Sequence, residues 1–388
     1  MRVLHIISSS GMYGAEAVIL NMSRVLNSGS HCSMLGVFSN SSNPNLQLHE
    51  RATEEGIESH LILCKGQIDR SAIANIRELA ARTGADVVHA HGFKADIYVY
   101  LALRGTGIPF VSTCHTWYDN DLFVYCYGVV DRLALRKFAR VVAVSEEVKG
   151  RLLKAGVRAE VISLIRNGIE LQPFDDAVPA LRRDFASDDT LIVGLIGRLS
   201  REKGVDIFLR AVARVLVEFP GAKFVVVGEG PDKDKLEQLV DELKIRESVS
   251  MLGRRDDMPS VYASLDVMVS ASRQEGLPIA ILEGMASSLP LVAAGVGEVP
   301  TVVMDGRTGV LVPAEDPDSL AAKIVELLRD RAMREGLGAA ARRRVEEEYS
   351  AARMTNDYLC VYAEAIEVVK KGRERRMESS AASQGNAE

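Results

Sequence analysis

LIVGLIGRLSREKGVDIFLRAVARVLVE, residues 191–218 of the chain, is the stretch that decides the fold. Residues 191–196 predict a buried parallel strand, because the run is short, apolar and ended by a glycine turn. A basic loop follows, and residues 205–218 predict a helix. A strand, a loop and a helix in this order form the repeating unit of a parallel sheet.

The same unit recurs in both halves of the chain. In the first half it opens at residues 2–7, where a strand leads through a Ser/Gly loop into a helix. The alternation stops between residues 167 and 187, where glycine, prolines and aspartates predict a linker. The pattern predicts an α/β fold of two doubly wound parallel sheets. Ligands bind beyond the carboxyl ends of such strands, so two facing sheets predict a cleft between domains.

We expect five segments along the chain. An N-terminal Rossmann-like domain covers residues 1–170, and an interdomain linker covers 171–188. A second Rossmann-like domain covers residues 189–345, and a C-terminal helix covers 346–371. Residues 372–388 are polar and small, which predicts a disordered tail.

Composition excludes several classes of protein. The formal net charge of -6 argues against a wholly basic nucleic-acid binder, so we expect no nucleic-acid partner. Five scattered cysteines include no C-x-x-C pair, which fits a reducing cytosol. The opening apolar run is too short for a signal peptide, and no stretch approaches the ~18 apolar residues of a membrane helix. We therefore expect a cytoplasmic protein that is soluble or at most lies on a membrane surface.

Residues 275–283, EGLPIAILE, carry the strongest functional signal. Pro278 suits the first position of a helix, and the unpaired N–H groups of Gly276 and Leu277 then predict an anion site. Glu283 follows Gly276 by ~10 Å of helix, at 1.5 Å per residue. That length suits a diphosphate at the helix start and ribose hydroxyls on Glu283. The alternative is that Glu275 and Glu283 are solvated glutamates at an ordinary helix start.

The loop after the strand 191–196 carries the second signal. Gly197 lets the backbone approach a ligand closely, while Arg198 and Lys203 place two cations at the carboxyl end of the strand. Such cations stabilise the negative charge that develops on a departing nucleoside diphosphate. The alternative is a solvated basic loop.

The first domain offers weaker candidates. Gly14 at a helix start suits phosphate contact, or a plain tight turn. His115 follows an apolar strand and could hydrogen-bond a sugar, act as a base or be structural. His89 and His91 have no third metal ligand in a recognisable spacing. Two D-x-D matches, at residues 119–121 and 316–318, do not directly follow strands, so we predict no metal and no cofactor.

Five motifs in order resemble the family-four retaining glycosyltransferases of the GT-B class. The resemblance covers the chain to about residue 365 and is specific as an ordered set. The chain departs from the family pattern at residues 13–14 and 295–300, so Glu298 has no assigned role. The motifs are RNGIE at 166–170, GRL with KG at 197–204, VGEGP at 227–231, EGLPIAILE at 275–283, and DGRTG with LVP at 305–313.

The resemblance implies a GT-B fold whose C-terminal helix crosses back to the N-terminal domain. It implies a UDP- or GDP-linked donor sugar held mostly by the C-terminal domain, and a glycan or lipid-linked acceptor in bacterial envelope or exopolysaccharide synthesis. By the same resemblance, Arg198, Lys203 and the Gly14 backbone bind the diphosphate, and Glu283 binds the ribose. Glu275, Gly276 and Leu277 meet the donor sugar or its phosphate. His115 lies near the reacting sugar, and the loop of Arg254 touches the base.

Two further functions stay open from the sequence. A GT-B phosphorylase or sugar-nucleotide epimerase would use the same scaffold, and an inactive sugar-binding scaffold subunit is an alternative of another class. The segment 131–140 adds a possible partner, because basic residues four apart share one helical face. Such a face predicts contact with an anionic membrane, or else packing on its own domain. Its basic residues are Arg132, Arg136, Lys137 and Arg140.

Overall fold

The structure is a computed structural model of the chain. It describes residues 1–9, 11–12, 14–40, 45–66, 69–115, 130–182, 190–275 and 279–385, with side chains to residue 375. The chain divides into two compact units. The N-terminal unit comprises Met1–Gly168 and the segment that begins at Ala351, and the C-terminal unit is Ile169–Ser350.

The N-terminal unit is built on a seven-stranded parallel sheet of order β3-β2-β1-β4-β5-β6-β7. Its strands are near-continuous apolar runs because helices cover both faces of such a sheet. The strands are β1 Arg2–Ile7, β2 Cys32–Asn40, β3 Glu58–Cys64, β4 Val87–His91, β5 Phe110–Cys114, β6 Arg140–Ala143 and β7 Ile162–Leu164. The helices are α1 Gly14–Ser28, α2 Gln47–Glu54, α3 Arg70–Arg82, α4 Phe93–Leu103 and α5 Glu146–Lys154, which Ser145 caps.

The C-terminal unit repeats this plan with six parallel strands in the order β10-β9-β8-β11-β12-β13. The strand order reverses between β8 and β11, and a doubly wound sheet binds its ligand at that switch point. The strands are β8 Ile192–Ile196, β9 Lys223–Val227, β10 Val249–Gly253, β11 Val267–Ser270, β12 Leu291–Ala294 and β13 Val310–Val312. The helices are α6 Gln172–Asp175, α7 Val205–Glu218, α8 Lys233–Glu242, α9 Met258–Ala263, α10 Ile279–Ala286, α11 Val299–Val302, α12 Pro317–Arg329 and α13 Arg331–Glu348.

A last helix, α14 Ala351–Gly385, belongs to the N-terminal unit. It packs on α1, β4, β5 and β6, where Tyr358 and Tyr362 are buried. Two of our expectations differ from the structure here. The single C-terminal helix is two helices, because the chain breaks at Tyr349 and Ser350 to pair with Ile169. The helix also continues past residue 371, since the segment expected to be disordered is rich in Glu, Arg and Ala, which favour helix.

The prediction of one basic helix over residues 131–140 is wrong. Helix covers residues 130–135, and Arg140 already begins β6, where its Nε donates to Glu364 at 2.8 Å. Arg136 donates to the carbonyl of Ala155 at 2.8 Å. The helix ends because the next apolar residues must enter the sheet beside β5. Arg132, Arg136 and Arg140 therefore share no helical face.

Candidate functional site

The loops that follow β8 and β11 meet at the switch point of the C-terminal sheet. Lys203 Nζ donates to Glu275 Oε1 at 2.6 Å, although the two residues lie 72 positions apart. Ser272 Oγ donates to the same carboxylate oxygen at 2.6 Å. The Glu275 side chain is 8% exposed and that of Lys203 29% exposed. The fold thus joins two predicted site residues into one nearly buried ion pair.

Two glycines allow other parts of the backbone to pack closely against the segment that carries Glu275. Gly204 has a φ of 63°, and a Cβ there would lie 1.9 Å from the carbonyl oxygen of Ala271. Gly297 has a φ of 54°, and a Cβ there would lie 1.8 Å from the carbonyl oxygen of Glu275. Any side chain at either position would displace this loop, so both glycines are needed for close backbone packing.

Arg273 is a site residue that sequence reasoning missed. Its guanidinium donates to both carboxylate oxygens of Asp206 at 2.8 and 2.9 Å, to Glu315 at 2.7 Å and to the carbonyl of Arg201 at 2.8 Å. These hydrogen bonds lower the pKa of Asp206 and raise that of Arg273. Arg273 therefore ties the loop of Glu275 to the loop of Lys203. An arginine two residues before Glu275 was the only available signal, because its partners are distant in sequence.

The remaining predicted cations are exposed. Arg198 follows Gly197 directly, and its guanidinium has no hydrogen-bond or ionic partner among the described residues. The stem of Lys203 lies beside Gly197, where a Cβ would be 3.7 Å from Lys203 Cδ. The Arg254 side chain is 66% exposed, and its Nε lies 3.5 Å from Asp256. Arg198 is thus available to an anion that reaches this end of the sheet.

Glu283 lies on α10 and is held by one tyrosine. The hydroxyl of Tyr262, which is fully buried, donates to Glu283 Oε2 at 2.8 Å. Burial raises the pKa of Glu283 to about 7. Hydroxyl donors that bind this carboxyl group would favour its ionised form. Gly276 and Leu277, which we predicted as donor-binding residues, lie outside the described residues.

In the N-terminal unit, four histidines gather near the carboxyl ends of β1, β4 and β5. His5 Nδ1 lies 3.0 Å from His91 Nε2, and His91 Nδ1 lies 3.1 Å from His115 Nε2. His89 pairs with Tyr362 through Nδ1 and with Thr113 through Nε2, both at 2.7 Å. Gly14 begins α1 and is exposed.

The third histidine near His89 and His91 comes from β1, which sequence spacing does not disclose. His5, His89 and His91 place one nitrogen each within 4.8 Å of the others, close enough for a metal ion. However, both nitrogens of His89 are paired with hydroxyl groups, and the facing nitrogens of His5 and His91 are paired with each other. Asp119 and Asp121 lie outside the described residues.

Comparison with known proteins decides the family. The family described as Glycosyltransferase Family 4 matches residues 12–173, and that described as Glycosyl transferases group 1 matches residues 190–330. The chain is 30% identical to alpha-D-kanosaminyltransferase of Streptomyces kanamyceticus over an alignment of 308 residues that covers 74% of this chain and 78% of that protein. The chain belongs to glycosyltransferase family 4.

A second relative and a solved structure agree with this family assignment. The chain is 26% identical to N-acetyl-alpha-D-glucosaminyl L-malate synthase of Bacillus anthracis over an alignment of 339 residues that covers 85% of this chain and 87% of that protein. The crystal structure of Anabaena HepE in complex with UDP superposes with a TM-score of 0.81 at 21% identity, covering 94% of this chain and 100% of that one. The fold of the family-four chain is therefore GT-B, as the motifs implied. In the described part of the chain, no helix is long and apolar enough to cross a membrane.

Proposed function

We propose that this glycosyltransferase moves a sugar from a UDP- or GDP-linked donor to a glycan or lipid-linked acceptor with retention of anomeric configuration. The observation that carries the proposal is the Lys203–Glu275 ion pair at the switch point, on the same loop as the exposed Arg198, whose guanidinium has no partner in the part of the chain that the structure describes. A nucleoside diphosphate leaving group carries two phosphates, and this end of the sheet offers two cations to them.

The site residues bind different parts of the donor. Arg198 and Lys203 bind the diphosphate, and Glu283 accepts hydrogen bonds from ribose hydroxyls. Glu275 holds Lys203 and meets the donor sugar, while Arg254 lies on the loop that touches the base. The crystal structure of HepE holds UDP, which favours a uridine donor among the two candidates.

Retention of configuration follows if the acceptor attacks the anomeric carbon on the same face of the sugar from which the nucleoside diphosphate departs. The acceptor oxygen forms a bond to the anomeric carbon, the bond from that carbon to the phosphate oxygen breaks, and the acceptor proton moves to the phosphate. Double displacement instead needs a carboxylate that is free to attack the anomeric carbon. One oxygen of Glu275 already accepts from both Lys203 and Ser272, which supports a binding role for this carboxylate.

The acceptor is the least constrained substrate. The names of the relatives include an L-malate synthase and a D-inositol 3-phosphate glycosyltransferase, so related proteins act on unlike acceptors. We place the chain in bacterial envelope or exopolysaccharide synthesis. Peripheral contact with an anionic membrane no longer has a shared basic face to support it. Exposed Val130 and Leu133 remain beside Arg132, and sedimentation with anionic liposomes would test that contact.

A donor panel tests the proposal. Purified protein is incubated with UDP- and GDP-sugars, and release of nucleoside diphosphate is measured with and without candidate acceptors. We expect one donor to be consumed, and Arg198→Ala to lower turnover about 100-fold. The matched control is Lys235→Ala, whose side chain is 82% exposed. Epimerised donor, release that requires inorganic phosphate, or binding without any turnover would each contradict the proposal.

A further inference from the structure

Three imidazoles of the N-terminal unit form one hydrogen-bonded chain. The chain runs from His5 on β1 through His91 at the end of β4 to His115, which follows β5. His5 is 0% exposed and His91 is 4% exposed. At the two ends, His5 Nε2 and His115 Nδ1 are buried and have no hydrogen-bond partner among the described residues. The chain therefore begins and ends at an unsatisfied nitrogen.

All three rings are neutral near pH 7. Burial lowers the pKa of His5 to about 3, that of His115 to about 4, and that of His91 well below its usual value. A neutral imidazole has one N–H group and one bare nitrogen. The chain consequently holds three protons, of which two must lie in the two hydrogen bonds.

This count leaves two arrangements. If His5 carried its proton on Nε2 while His91 carried its proton on Nδ1, two lone pairs would face each other across 3.0 Å. If instead His5 carried its proton on Nδ1 and His91 carried its proton on Nε2, two N–H groups would face each other in the same contact. The same reasoning applies to the 3.1 Å contact between His91 and His115. Either all three rings are protonated on Nδ1 or all three are protonated on Nε2.

We propose that His5 and His91 are positioning residues that orient His115 and share its tautomer, so that the outer nitrogen of His115 is set as a donor or an acceptor by the whole chain. With all rings protonated on Nδ1, His115 donates to the oxygen of a substrate hydroxyl; with all protonated on Nε2, it accepts from that hydroxyl. A bound hydroxyl thus selects the tautomer of buried His5 without any change of charge. The inference rests on the proposed function together with the expectation, implied by the family resemblance, that His115 lies near the reacting sugar.

His89 packs against the three hydrogen-bonded imidazoles but forms no hydrogen bond with them. Its ring centroid lies 4.0 Å from that of His91, while its two nitrogens pair with Tyr362 and Thr113. Thr113 Oγ1 also lies 2.9 Å from the hydroxyl of Tyr358. Helix α14 therefore fixes the ring that packs against His91.

Nitrogen NMR tests the shared tautomer directly. The full chain is labelled with ¹⁵N-histidine, and long-range ¹H–¹⁵N correlations distinguish the two neutral tautomers and the charged ring. Single His→Gln variants assign the signals. We expect His5, His91 and His115 to show one common tautomer, and His91→Leu to release His115 from it. Different tautomers along the chain, a charged ring near pH 7, or a stoichiometric bound metal would overturn the proposal.

Kinetics separate positioning from general stability. The amide of Asn reaches the place of Nδ1 and keeps the contact with His115, whereas the amide of Gln reaches the place of Nε2 and keeps only the contact with His5. We expect His91→Gln to lower kcat about tenfold or more with an unchanged KM for the donor, and His91→Asn to lower kcat less, because it loses only the contact with His5. Equal activity of both variants would contradict the positioning role. If the unsubstituted enzyme transfers no sugar, the proposed function fails. The NMR experiment still shows whether the three imidazoles share one tautomer.

Discussion

Lys203 Nζ lies 2.6 Å from Glu275 Oε1, so a cation after β8 and a carboxylate after β11 neutralise each other where the strand order reverses. Both side chains are more than two-thirds covered, and a charge left alone there would be strongly disfavoured. A diphosphate that binds beside Gly197 would compete with Glu275 for Lys203. The lysine is thus held in place before the donor arrives.

Removal of either partner should have distinct effects. We expect Lys203→Met to lower kcat about 100-fold, because a stabiliser of the leaving-group charge is lost. Glu275→Gln should weaken donor binding and leave Lys203 poorly placed. The double variant should lose less than the product of the two single losses, because the residues act as a pair. Steady-state release of nucleoside diphosphate measures this, with Lys235→Met as the matched control; near-normal kcat in Lys203→Met would contradict the assignment.

The pH dependence of nucleotide binding should report on Glu283. Burial raises its pKa to about 7, so below that pH the group is mostly protonated and loses an acceptor for ribose hydroxyls. Affinity for UDP should therefore fall on acidification from pH 8 to pH 6, by up to about tenfold for one group. Calorimetric titration at several pH values measures the change. Glu283→Gln should bind more weakly but show little dependence on pH, and a flat profile in the unsubstituted chain would refute the role.

Two buried carboxyls should make the N-terminal unit less stable in alkali. Asp96 and Asp131 are each 1% exposed; burial raises the pKa of both, that of Asp131 to about 7, and their mutual repulsion raises that of Asp96 further. A raised carboxyl pKa gives stability below the unfolded value near 4. That stability is lost as the pH rises through about 7.

Thermal unfolding between pH 6 and pH 8.5 tests this effect. We expect the Tm of the unsubstituted chain to fall more than that of Asp131→Asn, by a few degrees at about 2–4 °C per kcal/mol. Asp256→Asn is the control, because that carboxylate is 92% exposed. Parallel curves for all three proteins would show that the pair does not titrate in this range.

Strand-and-loop periodicity was enough to predict both sheets, because buried parallel strands are short apolar runs. The helix Phe93–Leu103 was not predicted, since its apolar residues occupy all sides and give no helical stripe. The basic segment 131–140 was wrongly predicted as one helix, because the regular spacing of its arginines continues to Arg140, where β6 begins. Spacing within one segment does not report where the chain must cross into the sheet.

Site residues that stand in a local sequence motif could be predicted. Contacts between residues that only folding brings together could not. Lys203 and Glu275 stand in motifs, so both could be named, but their contact spans 72 positions. His5 could not be named, because its neighbours are brought together by the pairing of β1 with β4. Arg273 resembles any surface arginine until Asp206 and Glu315 are placed beside it.

Arg273 should behave as a support for the site. Arg273→Lys keeps a positive charge but cannot reach two carboxylates and a carbonyl together, because a lysine offers one ammonium group. We expect kcat to fall about tenfold or more, in the way that a small displacement of binding residues does. Arg214→Lys, which alters an ion pair with exposed Asp318, is the matched control. Equal kinetics for the two variants would show that Arg273 only stabilises the surface.

Transfer should not require a divalent metal. The cations Arg198 and Lys203 would stabilise the departing diphosphate, which is the task that a bound metal performs in other phosphate-transferring sites. We therefore expect nucleotide release to survive dialysis against EDTA, and added Mg²⁺ or Mn²⁺ to change the rate less than about twofold, because no step depends on an ion. The assay should be repeated with Arg198→Ala, since a weakened cation site is where a metal would most help. Complete loss of activity on chelation, with recovery on adding Mn²⁺, would reverse the prediction and direct attention to Asp119 and Asp121.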